Sequence, residues 1–127
     1  MKLGEIYVWV TDQAFGHQVR RKYHIYLCEA GWRTQGHAFL FISSADYGGD
    51  YPIRNADYGF LKNEVSYVSC GNIVTYSDDE VAAAKPEKVG SLSLGHLKDL
   101  YQAVAASETM EQWQIDLVCK ALKPALS

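Results

Sequence analysis

Along the first third of the chain, apolar and polar positions alternate with the period of two that a pleated strand imposes. Within residues 5–10, Ile6, Val8 and Val10 share one side while Tyr7 and Trp9 share the other. Apolar side chains on both sides predict a strand covered on both faces, or one whose outer face serves an interface. Residues 23–28 set Tyr23, Ile25 and Leu27 against His24, Tyr26 and Cys28. Residues 37–42, HAFLFI, are apolar almost throughout, which predicts a central strand. The following SSADYGGDYP is a loop, with Gly48 and Gly49 supplying positive φ where the chain reverses. Pro52 limits the next stretch to an edge strand or an irregular entry. Residues 66–70 and 72–76 read as two short strands, or as one long strand bent at Gly71.

From Ser77 the period changes to that of helices. SDDE has the form of a capping box, Ser77 capping the amide three residues on and Glu80 reaching back, with Asp78 and Asp79 favourable at the positive end of the helix dipole. Pro86 confines this helix to about two turns, near 78–84. A longer helix near 94–106 carries Leu97, Leu100, Tyr101 and Val104 at helical spacing. A last helix near 109–122 opens on a second capping box, TMEQ, and places Met110, Trp113, Leu117, Val118 and Ala121 on one stripe. Trp113 on that stripe reads as core. Strands followed by helices, with strand spacing too short for helical crossovers, predict a mainly β, α+β domain: an antiparallel sheet or small barrel of five to six strands with helices appended.

Composition changes this picture little. A chain of 127 residues, 48% apolar and 21% charged, fits a single soluble domain spanning 1–127. Nine tyrosines and three tryptophans suit a β-rich body. No secretory signal and no membrane-length apolar window is present, so the expected location is cytoplasmic. Cys28, Cys70 and Cys119 are odd in number and widely spaced, as reduced thiols are. Neither a metal nor another cofactor is expected, because no His, Cys and Asp fall at recognised zinc spacing.

Charge is more informative. The net charge is −3, yet residues 1–62 hold seven basic and six acidic groups, a net of +1, against five and nine, a net of −4, in residues 63–127. An anionic ligand should therefore prefer the N-terminal half. Its focus is Arg20, Arg21 and Lys22, the one run of three positive side chains, set between a turn at Gly16 and an apolar strand. Such a cluster suits one phosphate or carboxylate, although charges at a hairpin tip also serve solubility alone.

Taken in order, these motifs resemble the MazF/PemK family, the SH3-like-barrel toxins of bacterial toxin–antitoxin modules. The resemblance rests on Gly4, Glu5, Ile6, Val8 and Val10, then on Gly16, His17 and Gln18 followed by the three cations and HIYL. FLFISS ending at Ser43 and Ser44, the glycine loop, Tyr51, Pro52 and Ile53 come next, and then residues 66–76, Gly90, Leu92 and 97–104. It covers about residues 3–105, leaving 109–127 as a C-terminal helical extension. The family usually has proline directly after its key arginine, where Lys22 and Tyr23 stand here, so the key cation is either Arg21 or Lys22.

The resemblance implies a metal-independent endoribonuclease that cuts single-stranded RNA through the substrate 2'-hydroxyl, a homodimer held inactive by an antitoxin. It assigns catalysis to Arg21, Ser43 and His17, and substrate binding to Arg20, Lys22, Ser44 and His24. Arginine suits phosphate because its planar fork matches two oxygens and stays charged, and histidine suits proton transfer near neutrality. Tyr47, Tyr51 and Tyr58 are suited to stack on unpaired bases, if exposed. The alternative is a non-catalytic module on the same barrel that binds a protein target, as the gyrase-poisoning CcdB-like relatives do, through the helix around Trp113.

Overall fold

The computed structural model of the chain describes residues 1–12, 19–30 and 36–126. Its elements are β1 (Glu5–Thr11), β2 (Arg20–Ala30), β3 (Gly36–Ser43), β4 (Tyr51–Arg54), β5 (Val65–Val68), β6 (Val74–Ser77), α1 (Asp78–Ala84), β7 (Glu87–Ser91), α2 (Leu94–Ala105) and α3 (Gln112–Leu122), with a final 3-10 turn, Lys123–Leu126. The strands pair antiparallel in the order β4-β5-β3-β2-β1-β7 and curl into a half-barrel. Both β5 and β6 lie along β3, β5 on Ile42 and Ser43 and β6 on the stretch from Gly36 to Phe39. The stretch around Gly71 therefore separates two strands that serve one neighbour.

Two apolar clusters flank the sheet. Ile6, Ile25, Leu40, Ile42 and Val68 pack against Leu97, Leu100 and Val104 of α2 and Val118 and Leu122 of α3. Trp9, Tyr26, Phe39, Val74 and Tyr76 form the second cluster, which Val81 and Ala84 of α1 cover. β1 is thus covered on both faces, as its two-sided apolar pattern requires, except at Val10, which is 60% exposed. The β2–β3 ladder pairs Tyr26 with Phe39 but Cys28 with Ala38, so Leu27 is an extra residue in β2. This bulge turns Leu27 and Cys28 together towards the α2–α3 side, while Tyr26 stays with the aromatic cluster.

Four features differ from the sequence pattern. The three cations lie inside β2 rather than ahead of it, because β1 pairs with β2 as far as Thr11 opposite Arg20. β7, just after Pro86, is a strand that no alternation announces; its pairing with β1 forms it. α3 starts at Gln112 with Glu111 as its N-cap and no side-chain cap bond, so the box read at Thr109 is not formed, and Gln112 donates to Asp116 instead. α3 turns Gln114, Val118 and Leu122 inwards and leaves Trp113 49% exposed, which overturns its reading as core.

The first capping box is formed. The Glu80 amide donates to Ser77 Oγ at 3.1 Å and the Ser77 amide to Glu80 Oε1 at 2.9 Å. Ser77→Ala is therefore expected to cost about 1 kcal/mol, measured as a lower urea midpoint; an unchanged midpoint would show that packing on the aromatic cluster alone holds α1. Gly48 and Gly49 have φ of 109° and 77°, as the loop predicts. No helix among the described residues is long and apolar enough to cross a membrane.

Candidate functional site

Alternation along β2 separates the cations. Arg20, Lys22 and His24 take the side of the aromatic cluster, and Arg21 and Tyr23 the other. Since Tyr23 pairs with Ile42 and His24 with Phe41, the next step of the ladder sets Lys22 opposite Ser43. Lys22 Nζ donates to Ser43 Oγ at 3.0 Å and lies 5.4 Å from the centre of the Phe41 ring. Burial, and then the charge of Arg20, push the Lys22 pKa down. Arg21 instead reaches Glu87 of β7 at 3.7 Å, with the two side chains 66% and 70% exposed. An ion pair so open to water is weak and readily exchanged for another anion.

Two depressions meet at this point, and Arg20, Lys22 and Ser43 line both. The larger, about 540 Å³, is completed by Arg21, Ser44, Lys62, Asn63 and Ser66 among others. Arg20, Arg21, Lys22 and Lys62 line it with no carboxylate among its described lining residues, in a chain whose net charge is negative. The smaller, about 350 Å³, adds Phe41, Tyr47, Asn72 and Asp50. Asp50 serves the fold: its carboxylate accepts from the amides of Cys70 at 2.9 Å and Tyr47 at 3.0 Å.

His24 stands differently from its assignment to substrate binding. It has no exposed surface, so contact with a substrate is closed to it. Its Nδ1 donates to the Lys22 carbonyl oxygen at 2.9 Å, which fixes the tautomer, because a carbonyl only accepts. Nε2 then accepts from the Tyr76 hydroxyl at 3.0 Å, and Tyr76 accepts in turn from Thr11 Oγ1 at 2.8 Å. The Trp9 ring stacks on the imidazole at 3.5 Å with planes 6° apart. Burial pushes the His24 pKa down to about 3, against the opposing pull of the backbone carbonyls it bonds. A neutral histidine thus ties the backbone of Lys22 to β1 and β6.

The other candidates divide. His17 and Gly16 lie outside the described residues. Ser44 lines the larger depression beside Arg21. His37 bridges the Tyr26 hydroxyl and the Asp78 carboxylate at the far end of the sheet. His96 bonds Tyr58, which is buried and offers no open face, and the half-buried Tyr51 donates to Asp99. Tyr47 offers an open face, at 61% exposure. Lys62, Asn63 and Asn72 carry no sequence signal; polar residues in loops, they join the site only through the fold.

No protein-family model and no curated protein sequence matches the chain. Solved structures do. The Mycobacterium tuberculosis toxin MazF-mt6 superposes with a TM-score of 0.57 at 17% identity, over 84% of this chain and 98% of that one. A MazE–MazF structure from Deinococcus radiodurans gives 0.58 at 14% identity, over 87% of this chain and 98% of that one. A curled antiparallel sheet with appended helices, matched over most of this chain and nearly the whole of each of those, gives this chain the fold of the MazF toxins.

Proposed function

We propose that the chain is the toxin of a bacterial toxin–antitoxin pair, a cytoplasmic and metal-independent endoribonuclease of single-stranded RNA, which works as a homodimer and is silenced by its antitoxin. The observation that carries this reading is the hydrogen-bonded Lys22–Ser43 pair at the edge of a four-cation depression in an acidic chain. In the reaction the 2'-oxygen bonds to phosphorus as the bond from phosphorus to the 5'-oxygen breaks. The 2'-proton leaves to a base and a proton reaches the departing 5'-oxygen, so the products are a 2',3'-cyclic phosphate and a 5'-hydroxyl. Arg21 and Arg20 bind the phosphate oxygens, and Ser43 and Ser44 offer hydroxyls to phosphate or ribose. Lys22 stabilises the charge that builds on phosphorus, and its lowered pKa suits it to protonate the leaving oxygen. His17 is the proposed proton shuttle on the 2' side.

The test is incubation of purified protein with single-stranded RNA in excess EDTA. Cleavage leaving cyclic phosphate and 5'-hydroxyl ends is expected, and a requirement for magnesium would sink the mechanism. A second reading, a non-catalytic module that binds a protein target, draws on the half-exposed Trp113. Intact RNA, together with capture of one cellular protein that Trp113→Ala abolishes, would favour it.

A further inference from the structure

A buried imidazole that meets no substrate stands two residues from the proposed working cation. The tip of Lys22 is fixed by Ser43 Oγ, which accepts from Nζ at 3.0 Å, and by the Phe41 ring 5.4 Å away. Its root lies at an end of the sheet. β1 stops at Thr11 and β3 at Ser43, so the Lys22 backbone, laddered to Trp9 of β1, occupies one of the last rungs, where strands open first. His24 reaches back to that rung: Nδ1 donates to the Lys22 carbonyl oxygen at 2.9 Å. We infer that His24 is a positioning residue, which fixes the backbone of Lys22 so that the ammonium meets the phosphate in register, with Tyr76 and Thr11 completing the support. This role rests on the ribonuclease reading above and adds to it a residue that never touches RNA.

Three observations support it. The first is chemical cost. His24 has no exposed surface and lies among Trp9, Phe39, Phe41 and Tyr76, where an apolar ring of similar shape would pack without any need for hydrogen bonds. The second is rigidity. Trp9 stacks face to face on the imidazole at 3.5 Å, and Phe39, Phe41 and Tyr76 meet it edge-on, so the direction of the Nδ1–H bond is held. The third is reach. Tyr76 donates to Nε2 at 3.0 Å and accepts from Thr11 at 2.8 Å, yet it belongs to β6, which pairs with β3 from Gly36 to Phe39, away from Ser43. Its phenol therefore carries restraint from the well-paired part of the sheet to the open end.

Phe41 joins the two ends of the lysine. Its ring meets the imidazole at 4.9 Å and Lys22 Nζ at 5.4 Å, so displacement of His24 disturbs the root and the tip together.

The experiment compares the full-length wild type with His24→Phe, which keeps a ring in the stack and removes the donor to Lys22. kcat for RNA cleavage is expected to fall about 10- to 100-fold with KM little changed, as a small misplacement of a working group does. In a Lys22→Met background the same substitution should cost nothing further, because a residue that acts through Lys22 then has nothing to place. His24→Asn, whose amide nitrogen falls near the position of Nδ1, should recover most of kcat while being the less stable of the two, since it gives up the stacking on Trp9. Losses that multiply in the double variant, or activity that follows stability across the variants, would overturn the role and leave His24 as core.

Two measurements need no cleavage. Nitrogen NMR of the wild type should show His24 as the Nδ1–H tautomer, and Overhauser contacts between the Lys22 Cε protons and the Phe41 ring should weaken in His24→Phe. An Nε2–H tautomer in the wild type refutes the role whether or not the variants fold, and so do unchanged contacts in a folded variant. RNA left intact by the wild type, with the tautomer and contacts as expected, refutes the ribonuclease reading alone.

Discussion

Lys22→Ala is expected to lower the rate of RNA cleavage by about 100- to 1000-fold, the usual loss when one preorganised charge-stabilising donor is removed. The size of the effect comes from where the ammonium sits. Burial strips it of part of its water, and Ser43 Oγ and the Phe41 ring fix its position, so its charge acts in a less polar medium than a surface lysine would. The loss should fall on kcat, because the interaction strengthens as negative charge builds on phosphorus. Lys22→Met, which keeps the packed stem, separates charge from packing and should be as inactive. Arg21→Ala should act differently. Its guanidinium is mostly exposed and shared with Glu87, so its removal should chiefly raise KM. Single-turnover and steady-state assays on the three variants check this, and a Lys22→Ala protein within tenfold of wild type would exclude the lysine from the chemistry.

The second large effect is on stability against pH, and His24 dominates it. The folded pKa is about 3, below the ordinary value of 6.5, so over that window the unfolded chain takes up a proton that the folded one refuses. Stability from this group is therefore complete above pH 6.5 and falls as pH drops, by about 1.4 kcal/mol per unit. Between pH 6.5 and about 4.5 the loss is about 2 to 3 kcal/mol, a large part of a typical domain's stability. Below that, Glu5 adds to it. Its hydrogen bonds with Lys88 and the Lys2 amide hold its pKa at about 2 from 4.5, so its contribution too is lost on acidification. Urea midpoints measured across this range should fall steeply in the wild type. His24→Gln should be less stable at neutral pH but flatter in the upper part of the window. An equally steep profile in the variant would place the acid sensitivity elsewhere.

Much of this fold could be read from period alone. Ile6, Val8, Ile25, Leu27 and the run from Ala38 to Ile42 announced three strands because their burial is set by alternation within each strand. What escaped depends on partners far away in the chain. EKVGS has no alternation, and it becomes a strand only because β1 offers it an unpaired edge. Trp113 and Gln114 exchange the roles their polarity suggests, since the Gln114 carboxamide oxygen accepts from the Ile73 amide inside the fold. The cation cluster was visible as composition, but which cation meets which serine is a matter of register between strands, and no single strand contains it. His24 escaped for a related reason: a histidine among aromatic residues of three strands is core, whereas in sequence it is only a polar residue beside a charged run.

The bulge at Leu27 sets the phase of the site. Downstream of it, Cys28 pairs with Ala38; upstream, every residue of β2 is offset by one from the partner that an unbroken ladder would assign. Were Leu27 instead paired with Phe39 in an unbroken ladder, with the downstream pairing kept, Tyr23 would stand opposite Ser43 and Lys22 opposite Ser44. The same amino acids would then present a phenol where the ammonium now stands, and would send His24 to the opposite face of the sheet. Deletion of Leu27 would thus leave Lys22 opposite Ser43, whereas closing the bulge with every residue kept would leave the composition of the site intact and its register lost, because which side chain faces Ser43 is stored as a count of residues between bulge and serine.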